Sequence, residues 1–356
     1  MNVIIMAGGA GTRFWPLSRL HRPKQFLTIC GSHPMIEETY LRIAPLAGEG
    51  EIYIIVHEDH RELTEEIFQG KRIRIVTEPL GRNTAPCIGL GLIHIMEEHG
   101  DGPVVVLPAD HHIGDVAAFQ ETIRRAVSLV KKGGIATLGI VPTGPETGYG
   151  YIKGGKPLAG AGEALRADAF VEKPSLERAT RFLSEGGYYW NAGIFVFQAQ
   201  AMMAEIKRCL PELYEGLIDV RKSLGTEDYQ ERLGAVYEKL APISIDHGVM
   251  EKTGADVFVI PGHFPWSDVG SWRSLFELRS HERDTEGNMI DGDAVVIDCK
   301  NTMVHSRSGR LTGCIGLEDI FIIDTPDALL ICHHGCAQDV RRCVELIKER
   351  GLDDLL

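Results

Sequence analysis

Residues 6–26 read MAGGAGTRFWPLSRLHRPKQF, with Gly8, Gly9 and Gly11 crowded together and full positive charges following at Arg13 and Lys24. Glycine carries no Cβ, so the backbone N–H groups from Ala7 through Gly11 can converge on an anion and let it come close. Pro16 and Pro23 restrict the segment that leads to Lys24, which lowers the entropy cost of holding that cation in place. The chemistry suggested is the handling of a negatively charged small molecule. The plainer reading is a glycine turn with surface cations. Two common phosphate motifs do not fit. A P-loop ends in Gly-Lys-Ser/Thr, but Thr12-Arg13 follow Gly11. A dinucleotide fingerprint needs another glycine at position 14, which is Phe14.

Several polar residues elsewhere stand where chemistry is possible. Asp110 directly follows the apolar run VVVLPA, a position where a side chain emerges at the carboxyl edge of a parallel sheet. Asp268 lies in a turn between Trp266 and Trp272. Two carboxylates that meet in space can hold Mg²⁺ against phosphate oxygens, because this hard ion takes oxygen ligands and few of them from protein. Each aspartate could equally cap a helix or close a turn. Asn83 and Thr84 offer an amide and a hydroxyl suited to the edge of a base, yet both also suit a helix cap, with Pro86 in the first turn. Glu172 and Lys173 could form an exposed ion pair worth ~0–1 kcal/mol. Their place between Phe170-Val171 and Pro174 argues instead for a fixed position at a strand end.

The elements that position these residues can be read from periodicity. Short β-branched runs over Val3–Met6, Glu51–Val56, Arg72–Thr77, Val104–Leu107 and Gly134–Val141 predict strands. Between them Pro34–Ala44, Glu58–Phe68, Ala85–Glu98 and Ala117–Lys131 carry apolar residues at helical spacing. This alternation predicts βαβ units and a largely parallel sheet covered on both faces. From about Gly144 the pattern loosens into Gly-rich stretches, then AFVEKP and WNAGIFVF, followed by predicted helices at Ala199–Cys209 and Tyr229–Lys239. Beyond about Ser280, short apolar segments recur between Gly, Asp, Asn and Ser. They predict a small β-rich domain closed by a helix near Gln338–Arg350, and hence a division into residues 1–280 and 281–356.

Composition narrows the class of function. The chain has 356 residues, 44% hydrophobic and 24% charged, as expected of a globular protein. A formal net charge of −13 argues against nucleic acid as a partner, and any anionic substrate must be met locally. No apolar run reaches the ~18 residues needed to span a bilayer, and no signal peptide is visible, so no membrane partner is expected. Eight scattered cysteines fit a reducing cytoplasm.

The string GGAGTRFWPLSRLHRPKQF resembles the signature of nucleotidyltransferases that couple a sugar 1-phosphate to a nucleoside triphosphate. Further stretches resemble the mannose-1-phosphate guanylyltransferases: EPLGRNTAP (78–86), VVVLPADH (104–111), TGYGYI (147–152), FVEKP (170–174), WNAGIFVF (190–197), SIDHGVMEK (244–252) and WSDVGSW (266–272). The resemblance implies a Rossmann-like three-layer αβα nucleotide-diphospho-sugar transferase fold with a small C-terminal domain like a left-handed β-helix. It implies that Ala7, Gly8, Gly9, Gly11, Thr12 and Arg13 hold the triphosphate of GTP, that Lys24 neutralises charge in the transition state, and that Asp110 and Asp268 bind Mg²⁺. Guanine recognition falls to Asn83 and Thr84, sugar hydroxyls to Gly148, Glu172 and Asn191, and the sugar phosphate to Lys173. The expected reaction is direct attack of mannose 1-phosphate on the α-phosphorus of GTP, giving GDP-mannose and pyrophosphate.

His247-Gly248 depart from the Tyr and small residue often found in relatives, a change expected to touch sugar contacts and not the chemistry. Some bacterial relatives continue into a cupin-type isomerase domain. With Leu356 as the last residue, a single activity is expected here. The segment CHHGC (332–336), with Cys343, invites a zinc reading, but its spacing fits the common fingers poorly. His111 and His112 are read as structural. A homodimer through the β-rich tail is a further expectation. The rival readings are a nucleotidyltransferase for another pair, such as glucose 1-phosphate with UTP or dTTP, and a regulatory paralogue that senses sugar nucleotide without catalysis. GRNTAP and WSDVGSW argue against the first, and retention of Arg13, Lys24, Asp110 and Asp268 against the second.

Overall fold

The computed structural model describes residues 1–9, 11–47 and 51–356, so Ala10 of the glycine loop and residues 48–50 lie outside the described residues. The chain forms two compact units that interleave along the sequence. The first comprises residues 1–8, 39–109 and 113–266; the second comprises 9–38, 110–112 and 267–356.

The β-branched runs of the first unit become β1 (Asn2–Ala7), β2 (Ile52–His57), β3 (Arg74–Glu78), β4 (Pro103–Pro108), β5 (Ile135–Ile140), β6 (Tyr151–Pro157), β7 (Leu165–Val171), β8 (Tyr188–Gln198) and β9 (Val257–Gly262). They form one sheet in the order β3-β2-β1-β4-β8-β5-β9-β7-β6. Strands β1 to β4 are mutually parallel, with Ile5 opposite both Ile54 and Leu107, and β5 runs parallel to β9. The sheet is less uniformly parallel than expected, because β8 runs antiparallel between β4 and β5. Apolar periodicity reports that a strand is buried on both faces and carries no information on its direction.

Helices α1 (Met35–Ala47), α2 (Arg61–Ile67), α3 (Thr84–His99), α4 (Val116–Val130), α5 (Leu176–Glu185), α6 (Ala199–Cys209), α7 (Pro211–Lys222) and α8 (Tyr229–Lys239) accompany these strands. Those at α6 and α8 have the expected bounds, whereas α5 and α7 were not foreseen. Side chains of α3, α6, α7 and α8, among them Ile88, Leu92, Met202, Leu217 and Leu233, share one buried cluster with Ile4, Ile55 and Val106 of the sheet. Burial of such side chains is worth about 1.5–3 kcal/mol each.

The second unit is a stack of short strands: β10 (Met289–Asp291), β11 (Ala294–Ile297), β12 (Met303–Ser306), β13 (Thr312–Ile315), β14 (Ile320–Asp324) and β15 (Leu329–His333). Strands β10, β12 and β14 pair in parallel, so Met289, Met303 and Phe321 lie in one row, and β11 pairs in parallel with β13. Asp298, Asn301 and Asp319 turn the corners with φ near +50°, a region that short Asx side chains tolerate. Helices α9 (Trp272–Leu278) and α10 (Val340–Glu349) cover the row. Phe14, Trp15, Leu27 and Ile29 belong to the same buried cluster as Trp272, Phe276, Met303, Phe321 and Val340. In packing, residues 9–38 and 267–280 group with the β-rich segment, because their aromatic side chains lie in its core.

Candidate active site

In the second unit, Gly11 adopts φ +59°, and a Cβ there would come within 2.5 Å of the Lys24 backbone nitrogen and 2.7 Å of its Cβ. Only glycine lets this turn lie against Lys24. Ser18 Oγ donates to the Gly11 carbonyl at 2.8 Å, and Gln25 Nε2 donates to the Gly9 carbonyl at 3.0 Å. The lysine itself is only 6% exposed, and its Nζ donates to Asp110 Oδ2 at 2.8 Å and to the backbone carbonyl of Asp268. Burial pushes the Asp110 carboxyl upward, but the charges of Lys24 and His111 and the Lys24 hydrogen bond outweigh it and hold it below its ordinary value. Asp110 is thus kept ionised. An ammonium has three donors, and two are engaged here among the described residues.

The Asp268 carboxylate occupies the space a side chain at Gly270 would need: a Cβ there would lie 2.8 Å from Oδ2. Val269, between them, is fully buried with φ +45°. A β-branched residue in that region is strained, and such strain persists where surrounding structure imposes it, most often at functional sites. What imposes it is the start of α9. Ser271 and Ser274 cap that helix reciprocally, and Trp272 donates its indole N–H to the Trp15 carbonyl at 3.1 Å. Arg13 does not join this cluster; it is exposed and donates to Gln338 Oε1 at 3.2 Å. Nearby Arg19 is buried and committed to Asp327 through two contacts of 2.9 and 3.0 Å. Thr12 opens a short 3₁₀ turn, Thr12–Phe14.

The first unit holds the remaining expected residues. At the end of β1, Ala7 is buried and Gly8 exposed. Ala109, just before Asp110, is fixed by its N–H to the Met6 carbonyl at 2.9 Å and by the Thr39 hydroxyl at 3.2 Å. Asn83 and Thr84 act as the α3 cap. Asn83 Oδ1 accepts from the Thr84 N–H at 2.8 Å, and Thr84 Oγ1 accepts from the Ile245 N–H at 2.8 Å. Asn83 also has φ +70°, another locally strained position.

Glu172 and Lys173 do form an ion pair, at 2.8 Å, with Lys173 in the positive-φ region at +43°. Asn191 donates from Nδ2 to Asp246 Oδ1 at 2.7 Å. A Cβ at Gly148 would meet nothing within 4 Å, so space does not require glycine there. Two positions on it does: a Cβ at Gly150 would lie 2.5 Å from Glu172 Oε2 and 3.4 Å from Asn191 Cβ. Glu172, Asn191 and Gly150 are thus one cluster, and Asp246 joins it through Asn191.

Sequence reasoning singled out neither Asp246 nor Glu78. Glu78, at the end of β3, is 3% exposed and accepts from the Tyr237 hydroxyl at 3.0 Å. Burial pushes its carboxyl up to about 7 against the opposing hydrogen bonds from Tyr237 and Cys87. Both acids lie inside motif strings, Glu78 opening EPLGRNTAP and Asp246 third in SIDHGVMEK, but neither string shows which of its side chains is buried or what surrounds it. Among the described residues no group of three or more His, Cys, Asp and Glu could hold a metal. In the CHHGC segment, His334 stacks on Phe321 at 3.9 Å, and burial raises the Cys332 thiol to about 11.

Comparison with known proteins places the chain in a family. The nucleotidyl transferase family model matches residues 2–285, and the model of the MannoseP isomerase/GMP-like beta-helix domain matches residues 292–347. The chain belongs to the nucleotidyl transferase family. It is 40% identical over 355 residues to a mannose-1-phosphate guanylyltransferase of Salmonella montevideo, covering 97% of this chain and 73% of that protein. It is 41% identical over 352 residues to the xanthan biosynthesis protein XanB of Xanthomonas campestris, covering 98% of this chain and 73% of that protein. A crystal structure described as a mannose-1-phosphate geranyltransferase from Thermus thermophilus superposes with a TM-score of 0.87 at 35% identity, covering 98% of this chain and 99% of that one. No helix among the described residues is long and apolar enough to cross a membrane.

Proposed function

We propose that the protein transfers GMP from GTP to α-D-mannose 1-phosphate, releasing pyrophosphate and forming GDP-mannose. One observation carries this reading: a buried lysine is fixed between Asp110 and Asp268 and seated on the glycine loop, in a family of nucleotidyl transferases. The names of relatives near 40% identity supply the choice of substrates.

The sugar phosphate is already ionised at neutral pH, so no general base is needed, and the protein's work is to bring two anions into line. Lys24, with two of its three donors engaged among the described residues, meets phosphate oxygens and stabilises the charge that develops on the oxygens of the α-phosphoryl group and the leaving pyrophosphate. The backbone N–H groups around Gly8, Gly9 and Gly11 and the exposed Arg13 bind the remaining phosphates. Asn83 and Thr84 read the base, while Lys173 meets the sugar phosphate and Glu172, Gly148 and Asn191 the sugar. Asp110, kept ionised, and Asp268 fit a hard divalent cation that takes one or two carboxylates and leaves room for phosphate. Bound there, Mg²⁺ would shield the charge of the triphosphate. All eight cysteines are free thiols, which supports a cytoplasmic location. Val295, Ile297 and Ile315, exposed along β11 and β13, support a homodimer.

A panel of nucleoside triphosphates against sugar 1-phosphates, scored by pyrophosphate release with Mg²⁺ and with EDTA, tests the reading. GTP with mannose 1-phosphate should be the best pair, and EDTA should stop the reaction. Preference for a pyrimidine triphosphate overturns the assignment.

A further inference from the structure

Asp246 begins a π-helical turn, Asp246–Met250, an uncommon conformation that tends to mark functional sites. Its backbone is held firmly. The Ile245 N–H donates to Thr84 Oγ1 at 2.8 Å, the Gly248 N–H to the Ser244 carbonyl at 2.8 Å, and the Glu251 N–H to the Asp246 carbonyl at 2.9 Å. The neighbouring His247 turns outward to Glu251 at 3.1 Å.

The Asp246 side chain forms no ion pair among the described residues. Its Oδ1 accepts from Asn191 Nδ2 at 2.7 Å, and the orientation of that amide is set by the Gly193 N–H, which donates to Asn191 Oδ1 at 3.1 Å. Glu172 approaches the same Asn191 across the gap left by Gly150. Burial and the Glu172 charge push the Asp246 carboxyl up to about 6, against the Asn191 hydrogen bond and the more distant Lys173. Such an arrangement is unfavourable as pure scaffolding: two carboxylates flank one amide, and Lys173, the cation that acts on Asp246, is exposed and pairs with Glu172. Asp246, Asn191 and Glu172 are only half-buried, so a ligand can reach them. Carboxylates and an amide held at fixed spacing are acceptors and donors matched to neighbouring hydroxyls of a pyranose ring.

We propose that Asp246 is a specificity-determining residue that accepts a hydrogen bond from a ring hydroxyl of the sugar 1-phosphate, with Asn191 orienting its carboxylate and Glu172 taking an adjacent hydroxyl. This rests on the sugar-phosphate reading given above. A site built to bind a hydroxyl rejects the analogue that lacks or misplaces it, because its own polar group is then left unpaired.

The test is a cycle with Asp246→Asn and deoxy analogues of mannose 1-phosphate. In the wild type, one of the 2-, 3-, 4- or 6-deoxy compounds should raise KM by roughly tenfold or more. In Asp246→Asn, KM for mannose 1-phosphate should rise by a similar factor, with KM for GTP unchanged and kcat within about threefold. The same deoxy compound should then cause no further loss. A preference for mannose over glucose 1-phosphate should narrow in parallel. If the variant keeps the wild-type KM and epimer ratio, or if every deoxy compound costs it as much as it costs the wild type, the proposal is overturned. Should Asp246→Asn fail to fold, Asp246→Ser supports the same cycle. If the wild type prefers a different sugar 1-phosphate, the mannose reading fails by itself, and the cycle is run on deoxy forms of the preferred sugar.

Discussion

Lys24 makes its strongest contacts with two residues that lie 86 and 244 positions further along the chain. Its removal leaves the Asp110 charge without its main partner and removes the cation proposed to meet the triphosphate. Lys24→Ala should lower kcat by about 10²–10³-fold in a protein whose circular dichroism is unchanged, and near-normal turnover would refute the role. Glu78 gives a different prediction, one of stability. Its carboxyl is raised from the ordinary 4.5 to about 7 when folded, so between those values the folded state holds a proton that the unfolded chain has lost. The stabilisation linked to that proton is complete below pH 4.5 and is lost as pH rises through 7. Its upper limit is roughly 3 kcal/mol, at about 1.4 kcal/mol per tenfold in proton affinity. Glu78→Gln, neutral and similar in shape, should flatten the decline in denaturation free energy between about pH 5 and 8; an unchanged slope would place the titration elsewhere. Lys24, Asp110 and Asp268 were singled out from distinctive local strings, and the structure brings the three together. Glu78 and Asp246 were passed over although EPLGRNTAP and SIDHGVMEK contain them, since what distinguishes them is burial with no ion pair among the described residues, a property of three-dimensional neighbours.

At the scale of elements, the regular strands and the helices with clear apolar spacing were readable, and the direction of β8 was not. Nor were α5, whose apolar stripe is narrow, or α9, which spans only Trp272–Leu278. The short α9 nevertheless positions a candidate site residue, because its cap adjoins the strained Val269 and so bears on the placing of Asp268. The loop entering β6 behaves similarly. TGYGYI offered two glycines, of which the resemblance singled out Gly148; the close approach of Glu172 and Asn191 identifies Gly150 as the one whose space is constrained. Gly150→Ala places a methyl group within 2.5 Å of Glu172 Oε2 and must displace that carboxylate. It should raise KM for mannose 1-phosphate by about tenfold or more while sparing KM for GTP, whereas Gly148→Ala should change KM for the sugar far less. Equal effects of the two substitutions would argue that loop flexibility, and not the Glu172 position, governs sugar binding.

At the scale of the whole molecule, the sequence suggested a catalytic domain followed by a separable β-rich tail, a division reached because composition shifts near residue 280. Packing links them differently. The segment that carries Gly9, Gly11, Arg13 and Lys24 buries Phe14, Trp15, Leu27 and Ile29 in the core built by residues 267–356. Trp15 donates its indole N–H to the Leu355 carbonyl at 2.8 Å, and Arg19 forms its paired contacts with Asp327, so polar ties reinforce the apolar ones. Loss of the tail would expose several large side chains, each worth about 1.5–3 kcal/mol when buried, and would leave the Arg19 guanidinium without its carboxylate. The β-rich segment thus packs as the support of the loop proposed to bind phosphate. A protein ending at residue 280 should therefore bind hydrophobic dye, unfold well below the full chain, and show no measurable pyrophosphate release. If that fragment instead turned over GTP and mannose 1-phosphate at the full-length rate, the loop would be shown to hold its catalytic geometry without residues 281–356, and the scaffolding role assigned to them would be wrong.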